Sequence, residues 1–316
     1  MLSALAAAQS PFATQVIAYD PAPGQFVQNP QFNDPTRAVG PPIGGGTIAP
    51  DNTKVVTLGG FGGSIVLAFD HRVLDDPRNF MGLDAIVFGN AVYVAGHPNR
   101  RFAEAATIEI AIDANNNGLA DDPWYVIRVP QMPAVPDDWW ATRTWDDNVA
   151  DPANPPANPA WIPPGRTGTW QTSAYLLFST PFAGPILQNP LGLTATAEAI
   201  RGIADHTPTL LLGDTTADNV IDDASIAPAA FYTVPDDPFS VGITPRSGGG
   251  DAFDIAWAVD PATGQPANLP GFDFIRLTTA IDSIDPLFGE VSAEIGGVAD
   301  AAPHRIRPHV TVQFAR

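Results

Sequence analysis

Residues 107–112, TIEIAI, carry isoleucine at every second position. That is the period of a strand with one buried face. Residues 125–129, YVIRV, continue the alternation and pair naturally with 107–112 across the segment between them. Residues 64–69, SIVLAF, are apolar enough for a strand buried on both faces, and 85–88, AIVF, follow a turn at Met81-Gly82. Further strands are expected over 174–178, 274–277 and 309–314. One stretch has a helical pattern, 194–204, TATAEAIRGIA, with Thr194 or Thr196 able to cap its start. The 34 prolines and 28 glycines punctuate the rest as turns. The pattern predicts an all-β fold, an antiparallel, jelly-roll-like β-sandwich with long ordered loops and one short helix.

A weak internal duplication adds to that expectation. Residues 82–114 and 271–301 both open Gly-apolar-Asp-x-Ile, and an alanine follows at the tenth position, Ala91 and Ala280. Phe102-x-Glu104 and Phe288-x-Glu290 come next, then Glu109-Ile110 and Glu294-Ile295, then Asp113-Ala114 and Asp300-Ala301. Five landmarks in one order imply two similar strand–turn–strand units, 64–129 and 251–302, each with one face to bury. A single elaborated domain over 11–316 is expected, with loop-rich insertions at 130–170 and 213–250.

Composition bounds the partners. The hydrophobic share is 45%, enough for a sizeable core. There are 34 acidic residues against 15 basic, a net charge of −19. Nucleic acid and anionic membrane surfaces are therefore poor partners, since phosphate binding needs clustered cations. No run is long and apolar enough to span a bilayer. Cysteine is absent, which excludes disulfides, cysteine zinc sites and a thiol nucleophile. Residues 1–10, MLSALAAAQS, read as the remnant of a secretory signal ending in small residues.

The acids are grouped. Residues 113–122, DANNNGLADD, match the first nine positions of a calcium loop. Such a loop offers oxygens at positions 1, 3, 5, 7 (through the backbone) and 9, with glycine at 6 for the sharp turn. Those ligands are Asp113, Asn115, Asn117, Leu119 and Asp121 or Asp122, and the turn glycine is Gly118. Position 12 is Trp124 rather than glutamate, and strands flank the loop, so it is not an EF-hand. The loop resembles those of thrombospondin type 3 repeats, dockerins and FG-GAP hairpins; the resemblance covers about ten residues and implies bound calcium. An ion-free Asn-Gly turn is the alternative. A second cluster, 214–223, DTTADNVIDD, lacks the turn glycine and reads as a solvated loop, with metal binding the lesser reading. Residues 247–250, SGGG, lack the lysine of a phosphate loop and read as a tight bend entering a strand.

No catalytic constellation stands out. His71, His97, His206, His304 and His309 fall in no HExxH frame, and there is no Gly-x-Ser-x-Gly elbow. Glu104, Glu109, Glu290 and Glu294 are candidate acids, for which structural or calcium-ligating roles are favoured over catalysis. Residues 130–170 hold five of the seven tryptophans: Trp139, Trp140, Trp145, Trp161 and Trp170. These either pack the segment onto the core, the favoured reading, or stack on the rings of a sugar.

The stretches LGGFGGSIVLAFD, GLDAIVFGNA, DPWYVI, GGGDAFDIAWAVD and GFDFIRLTTA, over about residues 11–302, resemble a group of uncharacterised secreted bacterial cell-surface proteins. The resemblance implies export and a β-sandwich, and brings no catalytic residues. The expectation is an exported, calcium-stabilised, non-enzymatic surface protein for adhesion or recognition, with an extracellular glycan or surface polymer as partner. A secreted carbohydrate-active hydrolase and a structural envelope or fibre component are the alternatives.

Overall fold

Among the described residues the chain forms sixteen strands. In chain order these are β1 (Gln15–Asp20), β2 (Val56–Thr57), β3 (Ser64–Leu74), β4 (Ala85–Gly89), β5 (Val92–Val94), β6 (His97–Phe102), β7 (Ala106–Ala111) and β8 (Trp124–Ile127). They continue with β9 (Thr142–Asp146), β10 (Thr167–Gln171), β11 (Asp251–Phe253), β12 (Ala258–Val259), β13 (Gly271–Thr279), β14 (Ile284–Asp285), β15 (Gly289–Glu290) and β16 (Glu294–Asp300). The structure, a computed structural model, describes residues 9–128, 142–146, 167–171 and 204–301, save Pro23, Gln25, Phe61, Phe239, Val241, 281–283, 286–288 and Val291.

The protein is all-β. Six strands form one sheet in the order β1-β3-β13-β7-β8-β12, and four form another, β11-β4-β16-β2. Three two-stranded pairs, β5–β6, β9–β10 and β14–β15, complete the set, and every pairing is antiparallel. The expected strands at 64–69, 85–88, 107–112, 125–129 and 274–277 correspond to β3, β4, β7, β8 and β13. Those at 174–178 and 309–314, and the helix at 194–204, lie outside the described residues. Among the described residues there is one short α-helix, α1 (Pro228–Phe231), with proline in its first turn.

Alternation divides the apolar residues among three clusters. Ile65, Leu67 and Phe69 of β3, Ile108 and Ile110 of β7, and Ile275 and Leu277 of β13 face one core. Ala85 and Val87 of β4, Phe253 of β11, and Ile295 and Val298 of β16 enter the same core from the four-stranded sheet. Each sheet thus buries one face against the other's side chains, the main hydrophobic contribution to the fold. Ile86 and Phe88 point the opposite way, into a second cluster with Leu210, Phe231 and Tyr232. The segment after 204 therefore covers the outer face of the four-stranded sheet. Val66, Ala68, Ala111 and Phe274 make a small third cluster on the outer face of the six-stranded sheet.

The two similar segments interleave. Residues 82–91 and 271–280 supply β4 and β13, whereas the Glu-Ile landmarks begin β16 and lie within β7. β4 pairs with β16, and β13 pairs with β7. The first strand of each segment is thus completed by the second strand of the other.

Candidate metal centre

β7 and β8 pair in the register Glu109↔Val126, Ile110↔Tyr125 and Ala111↔Trp124. The acidic loop is therefore a long hairpin connection, and its base is held from three sides. The Asp113 amide donates to Asp273 Oδ2 at 2.8 Å. Asp273 lies at the β-bulge of β13 and accepts from Arg72 Nε at 3.0 Å and Nη2 at 2.6 Å. Arg276 grips Glu109 through two 2.7 Å hydrogen bonds. Its guanidinium carbon also stands 4.4 Å from the centroid of the Trp124 ring. A bidentate pair with a stacked guanidinium fixes the strand from which the loop departs.

Above this base the loop curls around its own side chains. Asp113 accepts from the amides of Asn117 (3.0 Å) and Gly118 (2.8 Å), one on each carboxylate oxygen. Asn115 Oδ1 accepts from Asn117 N at 2.9 Å, and Asn117 Oδ1 from Leu119 N at 2.7 Å. Asn117 Nδ2 reaches Asp121 at 3.1 Å, and Asp122 Oδ2 accepts from Ala114 N at 3.0 Å. The turn needs left-handed backbone at Asn116 (φ 56°) and Gly118 (φ 74°), which asparagine and glycine tolerate. Asp113, Asn115 and Asn117 thus each accept from the loop's own amides, and Asn117 Nδ2 faces Asp121. Oxygen donors of this kind suit a hard divalent cation.

The second cluster, 214–223, takes the same backbone path. Asp214 stands where Asp113 does: it accepts from Asp218 N (3.3 Å) and Asn219 N (2.9 Å), four and five residues on. Left-handed backbone recurs at the fourth and sixth positions, Ala217 (φ 59°) and Asn219 (φ 69°). Asp222 closes the loop on Thr215, accepting from its amide and hydroxyl at 2.8 Å each. The missing glycine is replaced by Asn219, whose amide is clamped to Thr47 through 2.6 Å and 2.9 Å hydrogen bonds. The acid spacing at 214, 218, 222 and 223 was the sequence signal for this likeness.

The other candidates scatter. Trp145 and Trp170 lie on β9 and β10, which pair with each other, while Trp139, Trp140 and Trp161 lie outside the described residues. Glu109 is the partner of Arg276, and Glu290 belongs to β15. Glu104 and Glu294 are buried, and Glu294 is held well above the usual carboxyl range by burial and then by Glu104. The SGGG stretch bends into β11 with Gly249 and Gly250 both at φ 76°.

Sequence reading missed a buried polar seam over 204–210. Asp205 accepts from the amides of Asn90 (2.9 Å), Ala91 (3.2 Å) and Glu294 (2.9 Å). It thereby ties the end of β4 to the start of β16. Burial outweighs these donors and pushes its carboxyl up to about 8. His206 approaches Asp251 at 3.3 Å. Burial pushes the imidazole down to about 3 and the Asp251 carboxyl up to about 8, so both are uncharged near neutrality. Arg101, 1% exposed, donates to the His206 carbonyl at 2.9 Å and to Thr207 Oγ1 at 2.8 Å. Asp205, His206, Asp251 and Arg101 are all buried.

Fold and site together define an all-β protein of antiparallel sheets that presents two curled acidic loops. Compared with known families and with curated proteins, the chain matches no family model and no curated protein. Among the described residues, no helix is long and apolar enough to cross a membrane.

Proposed function

We propose that this chain is an exported surface protein, braced by calcium, that acts by attachment or recognition of an extracellular glycan or surface polymer rather than by catalysis. The supporting observation is the curl of the 113–122 loop. Its side chains fold back onto the loop's own amides above a base fixed by Arg72, Asp273, Arg276 and Glu109. A cation there would neutralise Asp113, Asp121 and Asp122, which otherwise repel one another. Asp113 and Asp121 would ligate through carboxylates, Asn115 and Asn117 through amides, and Leu119 through its carbonyl, with Asp122 completing or supporting the set. The shared backbone path of 214–223 extends the same reading to a second loop. A scaffold with ion-stiffened loops presents a rigid recognition surface without large ordering cost on binding.

The test is a thermal melt of the full chain in excess calcium and in EDTA, followed by a glycan array. A ligand at a hundredfold excess over its dissociation constant stabilises by about 2.7 kcal/mol. For a chain of this size that corresponds to a shift of roughly 4 °C. An unchanged melting temperature would refute calcium bracing. Absence of glycan binding would refute carbohydrate as the partner and leave the bracing intact.

A further inference from the structure

Three acids converge at a place distinct from both loops. Asp75, in the turn between β3 and β4, Asp84, immediately before β4, and Asp254, immediately after β11, offer carboxylate oxygens that all lie within 4.8 Å of one another. Oxygens around one calcium ion sit about 2.4 Å from it, so opposite ligands are about 4.8 Å apart.

Asp84 is fully buried, and three donors reach it: Asp76 N (2.8 Å) and Asn79 Nδ2 (3.0 Å) on Oδ1, and Ile255 N (3.0 Å) on Oδ2. A carboxylate has about four acceptor positions, and a side-chain hydrogen bond with Asp254 adds to these three contacts. The neighbouring charges that bear on Asp84 most, Asp254 and Asp75, are both negative. The cation of this turn, Arg78, is engaged by Asp76 at 2.5 Å and stands exposed. The counterpart of Asp84 in the similar segment is Asp273, and there Arg72 supplies the positive charge at 2.6 Å. The arginine has no equivalent at Asp84.

Asn79 is the independent sign. It is only 5% exposed, its amide nitrogen donates to Asp84, and its amide oxygen has no hydrogen-bond partner. A buried acceptor without a donor is costly, and a metal ion satisfies it. The other two acids differ: Asp254 accepts from Ala256 N at 2.7 Å and hydrogen-bonds to Asp84, while Asp75 is exposed.

We propose that Asp75, Asp84, Asp254 and the amide oxygen of Asn79 form a divalent-cation site of calcium type. The ion links the β3–β4 turn to the end of β11. It thereby joins the two similar segments where the edge strand β11 meets β4 through only three residue pairs. Asp75 provides the solvent-facing entry, Asp84 and Asn79 the buried ligands. Water is expected to complete the coordination.

The test measures calcium binding to the EDTA-stripped full chain by calorimetry, with native mass spectrometry counting the ions. Asp75→Asn, at an exposed position, and Asp254→Asn should each weaken one binding event by on the order of tenfold or more. Asp113→Ala should leave that event untouched and remove a different one, so the failure of this site and the failure of the 113–122 loop are separable. The proposal is overturned if both Asp75→Asn and Asp254→Asn bind the wild-type number of ions with wild-type affinity. It is equally overturned if Asp84→Asn stabilises the chain in EDTA while ion number and affinity stay unchanged, because a shared proton, not a metal, would then hold the acids together.

Discussion

Replacing Asp205 by alanine removes one carboxylate that serves three backbone amides. Two of them, at Ala91 and Glu294, belong to residues no more than 2% exposed. Each buried amide left without a partner costs about 1–3 kcal/mol. Two such losses place Asp205→Ala at about 3 kcal/mol or more, a large share of a typical stability of 5–15 kcal/mol. Asp205→Asn sharpens the test. Its single amide oxygen can keep the two hydrogen bonds made by Oδ1, from Asn90 and Ala91, while the NH2 group faces the Glu294 amide donor to donor. It should cost about 1–2 kcal/mol, roughly half the alanine effect. Urea denaturation with unchanged slope is the assay, since a change in midpoint alone then reports stability. If both variants fall within about 0.5 kcal/mol of wild type, the range of ordinary surface substitutions, Asp205 does not join β4 to β16 in the way its geometry indicates.

Two further outcomes are expected. Burial holds the carboxyls of Asp205 and Asp251 up to about 8 and that of Asp84 up to about 7, whereas in the unfolded chain they titrate near 4. Between these values the folded chain keeps protons that the unfolded chain has released, so stability falls as pH rises. His206, pushed down to about 3, acts in the opposite sense only below its unfolded value near 6.5. Melting temperature in chelator should therefore fall from pH 6.5 to pH 8, and a flat or rising profile contradicts the buried-acid assignment. At Gly250, with φ +76°, an added Cβ would meet the Phe88 ring at 2.7 Å and the Val87 carbonyl oxygen at 2.8 Å. Gly250→Ala should cost about 2 kcal/mol or more by urea midpoint, whereas Gly118→Ala, with φ +74° and nothing within 4 Å, should cost only the backbone strain of about 1 kcal/mol.

The strand assignments were legible because alternation is a local property. Ile108 and Ile110 must share a face once the segment is extended, and a long apolar run such as SIVLAF must be covered on both sides. The loop at 113–122 was legible for the same reason, since its oxygens lie within ten consecutive residues. Its sister at 214–223 was harder to see, because Asn219 replaces the turn glycine through a clamp to Thr47, 172 residues away. The short strands β2, β11 and β12 carry no pattern of their own; long neighbours impose them. Sequence by itself determined the all-β character and the acidic charge. Tertiary structure alone decided which segment's strand completes which, and that Asp205 serves amides 114 and 89 residues away. It also decided that Asp75, Asp84 and Asp254 meet. The reason is physical: sheet pairing and charge convergence join positions far apart in the chain, and no local period records such distances.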